Sequence, residues 1–135
     1  MQALIYPVTD LRAASGSYQE PPERQLLTAQ TMRWFISHYL DKPEQCLDWR
    51  ASPLLREDLR GLPPALVITA GFDPLRDEGQ AYADRLGAAG VPVRHVCFVR
   101  QAHPFFTMSR VTGDASLAAD LIAAALRRAW ASAAS

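Results

Sequence analysis

The feature that most constrains the fold is a run over residues 65–70 that is apolar except for Thr69 and stops abruptly at the Gly- and Pro-containing residues 71–74. A short apolar run without polar alternation is typical of a strand that is buried on both faces, as in parallel sheets. Residues 3–6 form a similar apolar run, which ends at Pro7, and residues 93–99 are predicted to form a third strand. The sequence therefore predicts three short strands, each followed by a loop.

Apolar residues at helical spacing lie between and after these strands. Thr28 has a side chain suited to the N-cap of a helix that ends near Leu40. Gly90 is suited to close a second helix over residues 76–89, and Asp114 to cap a third. The residues predicted to face inward are Met32, Phe35, Ile36, Tyr39 and Leu40 in the first helix, Tyr82, Leu86 and Ala89 in the second, and Leu117, Leu121, Ala125 and Leu126 in the third.

This alternation of strands and helices predicts an α/β fold, with three parallel strands and flanking helices in one domain over residues 1–135. The strand at residues 3–6 has the character of a central strand, yet the chain supplies it with only one neighbour. An open apolar edge favours association with another strand. We therefore expect the chain to be a fragment of a larger sheet or to pair with another chain.

The composition excludes several functions. Fourteen basic side chains offset fourteen acidic ones, so neither nucleic acid nor an anionic membrane is an expected partner. Asp120, Arg127 and Arg128 interrupt the longest apolar stretch, which excludes a membrane span there. The first residues do not resemble a signal peptide, so the expected location is cytoplasmic.

Metal and redox chemistry are not expected either. Cys46 and Cys97 are too far apart for a CxxC site, and we expect two buried thiols. The histidines His38, His95 and His103 show no metal-ligand spacing. The sequence therefore predicts neither a metal nor a cofactor.

Asp73 and His103 are the candidate catalytic residues, because each follows a predicted strand. Functional groups of open parallel sheets gather at the carboxyl ends of strands, and neighbouring strands lie about 4.8 Å apart. The two loops can therefore bring a carboxylate against an imidazole, which is the acid–base half of a hydrolytic triad. Two structural interpretations stay open: Asp73 before Pro74 can simply cap the next helix, and His103 can be an ordinary loop histidine.

The other titratable residues have structural interpretations. His95 falls within a predicted strand as a sheet-surface residue, and His38 falls in the first helix. Asp77 and Glu78 are predicted to complement the dipole of the second helix in its first turn.

Residues 62–79, with the sequence LPPALVITAGFDPLRDEG, resemble the hormone-sensitive-lipase-like branch of the α/β-hydrolases, which includes many bacterial carboxylesterases. Residues 4–10, 32–35, 51–54 and 82–93 also look like segments of that family, so the similarity covers almost the whole chain. The resemblance implies a partial α/β-hydrolase fold, corresponding to the C-terminal part of that domain.

Carried over by position, the resemblance makes Asp73 the acid and His103 the base of a Ser–His–Asp triad. The family's Gly-x-Ser-x-Gly nucleophile turn and His-Gly-Gly oxyanion motif do not occur in this sequence. Ser15, Ser17 and Ser109 lie in predicted loops, so no nucleophile is assigned in this chain. The implied activity of the complete enzyme is hydrolysis of a small acyl ester, and the chain alone is expected to be inactive.

Two positions depart from the family pattern. Pro104 stands where the family has Gly after the catalytic His, and Arg100 stands where it commonly has Gly three residues earlier. Because a proline restricts the residue before it, Pro104 is expected to affect the aim of the His103 imidazole.

A function of another class is also open. The chain can act as a non-catalytic interaction module that adds the strand at residues 3–6 to a partner's sheet. The partner would be a second copy of the chain or a complementing N-terminal half of an esterase.

Overall fold

A computed structural model describes the backbone of residues 1–133 and the side chains of residues 1–131. It contains a parallel sheet of three strands, β1 (Gln2–Ile5), β2 (Ala65–Phe72) and β3 (Val93–Ala102). The strand order is β1-β2-β3, so β2 is central. Both pairings are parallel, with Ile68 of β2 opposite Ile5 and Val96. The predicted α/β architecture is confirmed.

The helices are α1 (Ala29–Tyr39), α2 (Arg76–Ala88) and α3 (Gly113–Ala133). Thr28 caps α1 as predicted, because its hydroxyl accepts a hydrogen bond from the Thr31 N–H at 3.1 Å. Gly90 follows α2 with a φ of 78°, where a residue without Cβ is favoured. The prediction for Asp114 was wrong: it lies inside the first turn of α3, and its own N–H donates to the Thr112 hydroxyl at 3.3 Å.

The core lies on both faces of β2, whose side chains alternate between two clusters. Val67 packs with Tyr82 and Leu86 of α2 on one face. Ile68 packs with Phe105 and with Ala118 of α3 on the other. The chain therefore forms helix, sheet and helix layers, as an α/β fold with crossover helices requires.

The inward face of α3 is rotated from the predicted one. Leu117 is 51% exposed, whereas Ala118 is fully buried. Leu121 and Ala125 do pack against the core. Ala118 and Ile122, rather than Leu117, therefore complete the stripe of α3 that faces the sheet.

Three other predictions of burial were wrong. The strand at residues 3–6 was predicted to be buried on both faces, but Ala3 is exposed. On α1 only Met32 is buried, against Tyr18 and Leu75, while Tyr39 is 70% exposed. The free thiols of Cys46 and Cys97 are half-buried rather than buried.

No helix within residues 1–133 combines the length and the apolar character that crossing a membrane requires. Among the described residues, histidine, cysteine and carboxylate side chains form no group of three or more that could hold a metal ion.

Candidate active site

The three strands end at one edge of the sheet, and a titratable side chain follows each of them. Tyr6 follows β1, Asp73 follows β2 and His103 follows β3. Because parallel strands present their carboxyl ends together, these three residues converge without any long loop.

Asp73 and His103 are in direct contact. The Nδ1 atom of His103 lies 2.9 Å from Oδ2 of Asp73, and the Asp73 side chain is fully buried. The other carboxylate oxygen of Asp73 accepts the backbone N–H of Leu75 at 2.9 Å, just before α2 begins at Arg76. Asp73 therefore combines the local turn function and the contact with His103, one oxygen for each, so the two interpretations left open by the sequence are not exclusive.

This geometry fixes which imidazole nitrogen remains available. A buried carboxylate needs a donor, so Nδ1 of His103 carries the proton that it shares with Asp73. The Nε2 atom makes no hydrogen bond within residues 1–131, and the His103 side chain is 19% exposed. Nε2 is thus the nitrogen that can take a proton from outside the chain.

Pro104 does not prevent this contact. The peptide bond between His103 and Pro104 is cis. The imidazole of His103 nevertheless contacts the Asp73 carboxylate. Arg100, the other departure from the family pattern, is exposed and makes no hydrogen bond to His103 among the described residues.

A break in the strand register brings the two residues level. Ala70 lies opposite Phe98, but Phe72 lies opposite Ala102, so β3 uses extra residues between these pairs. At Gly71 a Cβ atom would overlap the backbone of Val99, which identifies a close backbone approach. Without this irregularity the residue after Phe72 would not face the residue after Ala102. The sequence signal for it is the glycine at position 71 inside an apolar strand.

Glu78 fastens the segment after β1 to α2. Its Oε1 accepts the N–H groups of Thr9 at 2.6 Å and Asp10 at 3.1 Å, and its side chain is 1% exposed. Burial raises the pKa of Glu78 to about 7. The sequence predicted a structural role for Glu78 in the first turn of the helix. It did not predict that the carboxylate would be buried against the segment after β1.

Asp77 and Arg76 connect the start of α2 to the segment after β1 and to the end of β2. Asp77 accepts the N–H of Ser17 at 2.8 Å and the Nε–H of Arg76 at 2.8 Å. Arg76 also donates to the carbonyl of Gly71 at 3.0 Å and to the carboxylate of Glu20 at 2.6 Å. These contacts of Arg76 were not predicted from the sequence, although Arg76 lies in the motif between Asp73 and Asp77.

The remaining histidines and loop serines do not join the pair. His95 Nε2 lies 2.8 Å from the Thr69 hydroxyl, and burial lowers the pKa of its imidazole. His38 is exposed and contacts the carbonyl of its helix neighbour Trp34 at 2.8 Å. The Ser17 hydroxyl is buried and donates to the carbonyl of Pro74 at 2.5 Å. Within residues 1–131, no serine hydroxyl hydrogen-bonds to His103.

Comparison with known proteins matches residues 1–107 to the family described as alpha/beta hydrolase fold. The chain is 41% identical over 128 residues to carboxylic ester hydrolase LipN of Mycobacterium tuberculosis, covering 94% of this chain and 34% of that protein. It is 38% identical over 128 residues to ethyl acetate hydrolase of Pseudomonas putida, covering 95% and 40%. The thermophilic carboxylesterase EstE1, cloned from a metagenomic library, superposes with a TM-score of 0.89 at 41% identity, over 94% of this chain and 44% of that chain.

The chain spans less than half the length of each of these three proteins. The match is nevertheless continuous through β1, β2 and β3 and through both residues of the Asp73–His103 pair. The resemblance found in residues 62–79 is therefore confirmed: the chain belongs to the α/β-hydrolase fold family, in its hormone-sensitive-lipase-like branch.

Proposed function

We propose that this chain supplies the acid and the base of a Ser–His–Asp triad to a carboxylic ester hydrolase. The observation that carries the proposal is the 2.9 Å contact between the buried Asp73 carboxylate and Nδ1 of His103. Relatives of the same fold family that are named as ester hydrolases support the reaction class.

In the proposed reaction, a serine hydroxyl outside this chain attacks the carbonyl carbon of an ester. Its proton passes to Nε2 of His103, and Asp73 stabilises the imidazolium that forms. The same proton then passes to the departing alcohol oxygen, which leaves an acyl-enzyme. Water, activated by Nε2 in the same way, attacks the acyl carbonyl and releases the acid and the serine.

The proposed substrate is a small acyl ester, and no cofactor or metal takes part. A relative named as an ethyl acetate hydrolase supports a short acyl group. The nucleophile turn and the oxyanion motif are absent from this sequence, so we propose that the chain alone is inactive. A cytoplasmic location stays a prediction, which fractionation of the producing cells would test.

The test is a chimera that joins the part of ethyl acetate hydrolase preceding the matched region to this chain. The chimera should hydrolyse ethyl acetate and p-nitrophenyl acetate. Asp73→Asn should lower kcat by about four orders of magnitude, because Asn stabilises the wrong imidazole tautomer and cannot compensate the imidazolium. His103→Gln should lower it similarly.

The matched control is Asp84→Asn, which changes an exposed carboxylate of α2 and should leave turnover unchanged. Circular dichroism of each chimera shows whether it is folded. Near-normal turnover of a folded Asp73→Asn chimera would refute the proposed role of Asp73. Ester hydrolysis by the isolated chain that is lost on His103→Ala would refute its inactivity alone.

A second candidate function rests on β1. This strand pairs with β2 only, so one edge has no neighbouring strand within residues 1–133. Such an edge can accept a partner strand, and we propose the N-terminal half of an α/β-hydrolase as that partner, since the relatives are more than twice as long. Light scattering at micromolar concentration distinguishes a dimer or complex from a stable monomer, and a stable monomer that binds no such half argues against this candidate.

A further inference from the structure

The Tyr6 ring lies directly against the His103 imidazole. The centroids of the two rings are 4.1 Å apart, and their planes are tilted by 51°. The contact joins two strands that are not neighbours, because β2 separates β1 from β3 and Tyr6 must reach across the end of β2 to meet His103. Tyr6 also contacts the edge of Phe105, with centroids 6.0 Å apart.

The backbone of Tyr6 holds a conformation that a tyrosine does not favour. Its φ is 36°, in the left-handed region where a bulky side chain is rare. Strained residues persist where the surrounding structure imposes them, and they concentrate at functional sites. Here the strain turns the side chain over the end of the sheet and towards His103.

Contacts on both sides of Tyr6 impose this conformation. The Tyr6 N–H donates to the carbonyl of Ile68 in β2 at 2.6 Å. Four residues later, the N–H of Asp10 donates to the buried Glu78 carboxylate at 3.1 Å, and Thr9 does the same at 2.6 Å. The segment is therefore fixed to β2 before the ring and to α2 after it.

We infer that Tyr6 is a positioning residue, whose ring covers one face of the His103 imidazole and keeps Nδ1 aimed at Asp73. The inference rests on the proposed function, to which it adds a residue that neither donates nor accepts the transferred proton. Burial and the nearby Asp73 raise the pKa of the Tyr6 phenol, which keeps it neutral. The Tyr6 oxygen also accepts a hydrogen bond from the Phe106 backbone, but only the ring contacts the imidazole, so the proposed role belongs to the ring.

The test measures the imidazole itself. In this chain labelled with ¹⁵N-histidine, the Nδ1–H of His103 should give a downfield NMR signal that is protected from exchange with water. His103→Gln assigns the signal by its loss. Tyr6→Phe should keep the protection, whereas Tyr6→Leu should speed the exchange roughly three- to tenfold, the factor that corresponds to a lost ring pair. Tyr39→Leu changes an exposed tyrosine of α1 and should have no effect.

Each outcome of this experiment supports or overturns the positioning role of Tyr6. Unchanged protection in folded Tyr6→Leu overturns the positioning role but leaves the Asp73–His103 pair intact, and absence of the signal from the unmodified chain overturns both. Should Tyr6→Leu not fold, Tyr6→Gly suits the φ of 36° and gives the same comparison. Failure of both to fold would assign Tyr6 to the core alone. Because no ester is hydrolysed in this experiment, its outcome is separate from that of the chimera.

Discussion

Helices α1 and α2 carry similar apolar stripes, yet they have opposite surroundings. On α2, Leu86 is fully buried and Tyr82 is 7% exposed, because both face β2. On α1, Phe35 is 49% exposed and Tyr39 is 70% exposed. Helical periodicity therefore specifies which face of a helix is apolar, whereas burial depends on what lies opposite that face.

The exposed side of α1 belongs to a larger apolar surface. With Val8 and Pro53, the residues Phe35 and Tyr39 line an open groove, which we call the α1 groove. Burying a large apolar side chain stabilises a protein by about 1.5–3 kcal/mol. Side chains on α2 supply this stabilisation within the chain, and those of the α1 groove supply it only if a further element covers them.

The largest expected effect on stability follows a cavity on the α2 side. Leu86→Ala should lower the free energy of unfolding by about 2–5 kcal/mol, because it removes a fully buried side chain from a packed cluster. Urea unfolding followed by circular dichroism measures the change. A loss below about 0.5 kcal/mol, the range of surface substitutions, would mean that α2 is no better packed than α1.

The second effect is the pH dependence that Glu78 of α2 gives to the free energy of unfolding. Its pKa is about 7 in the folded chain, against an ordinary value of 4.5. The folded state therefore binds the proton more tightly, so this stabilisation is present below pH 4.5 and is lost as the pH rises through 7. Over that window the contribution of Glu78 is on the order of 3 kcal/mol.

Glu78→Gln imitates the protonated carboxyl and should remove this dependence. The variant should be more stable than the unmodified chain at pH 8 and nearly equal to it at pH 4.5, in urea unfolding at both values. Glu23→Gln, which changes an exposed carboxylate, is the control and should leave the pH profile unaltered. A Glu78→Gln profile with the original slope would show that Glu78 ionises normally in the fold.

A smaller effect on stability is expected at Gly71, where the register between β2 and β3 is irregular. Gly71→Ala should cost about 1–3 kcal/mol, because the added methyl group overlaps the backbone of Val99. It should also weaken the protected Nδ1–H signal of His103. Gly113→Ala is the matched control, since a Cβ there meets no described atom within 4 Å. Equal stabilities of the two variants would argue against the close approach of β2 and β3.

The sheet and the Asp73–His103 contact could be predicted from the sequence, because both follow from local patterns. Apolar runs predict strands, and parallel strands place their following residues at one edge. The extension of β3 to Ala102 was missed, since register depends on the neighbouring strand and on the glycine at position 71. Tyr6 was missed because its ring crosses β2, a contact between two strands that are not neighbours.

Burial was less predictable than the elements themselves. Leu86 and Tyr39 satisfy the same periodic pattern, and only their surroundings separate them. Glu78 was predicted only to complement the helix dipole, because nothing local shows that its carboxylate binds the N–H groups of Thr9 and Asp10. Interactions between segments about 70 residues apart cannot be inferred from the periodicity of either one.

The smallest effect on the stability of the isolated chain is expected at Tyr39. This substitution tests most directly whether another part of the domain covers α1 as β2 covers α2. Tyr39→Ala should change the free energy of unfolding by no more than about 0.5 kcal/mol, because the side chain is 70% exposed and Ala favours helix. In the chimera, where the rest of a hydrolase domain is present, the same substitution should cost more if that part covers the α1 groove. Equal, small costs in both proteins would show that the groove stays open in a complete domain, so that its apolar surface would need a separate partner.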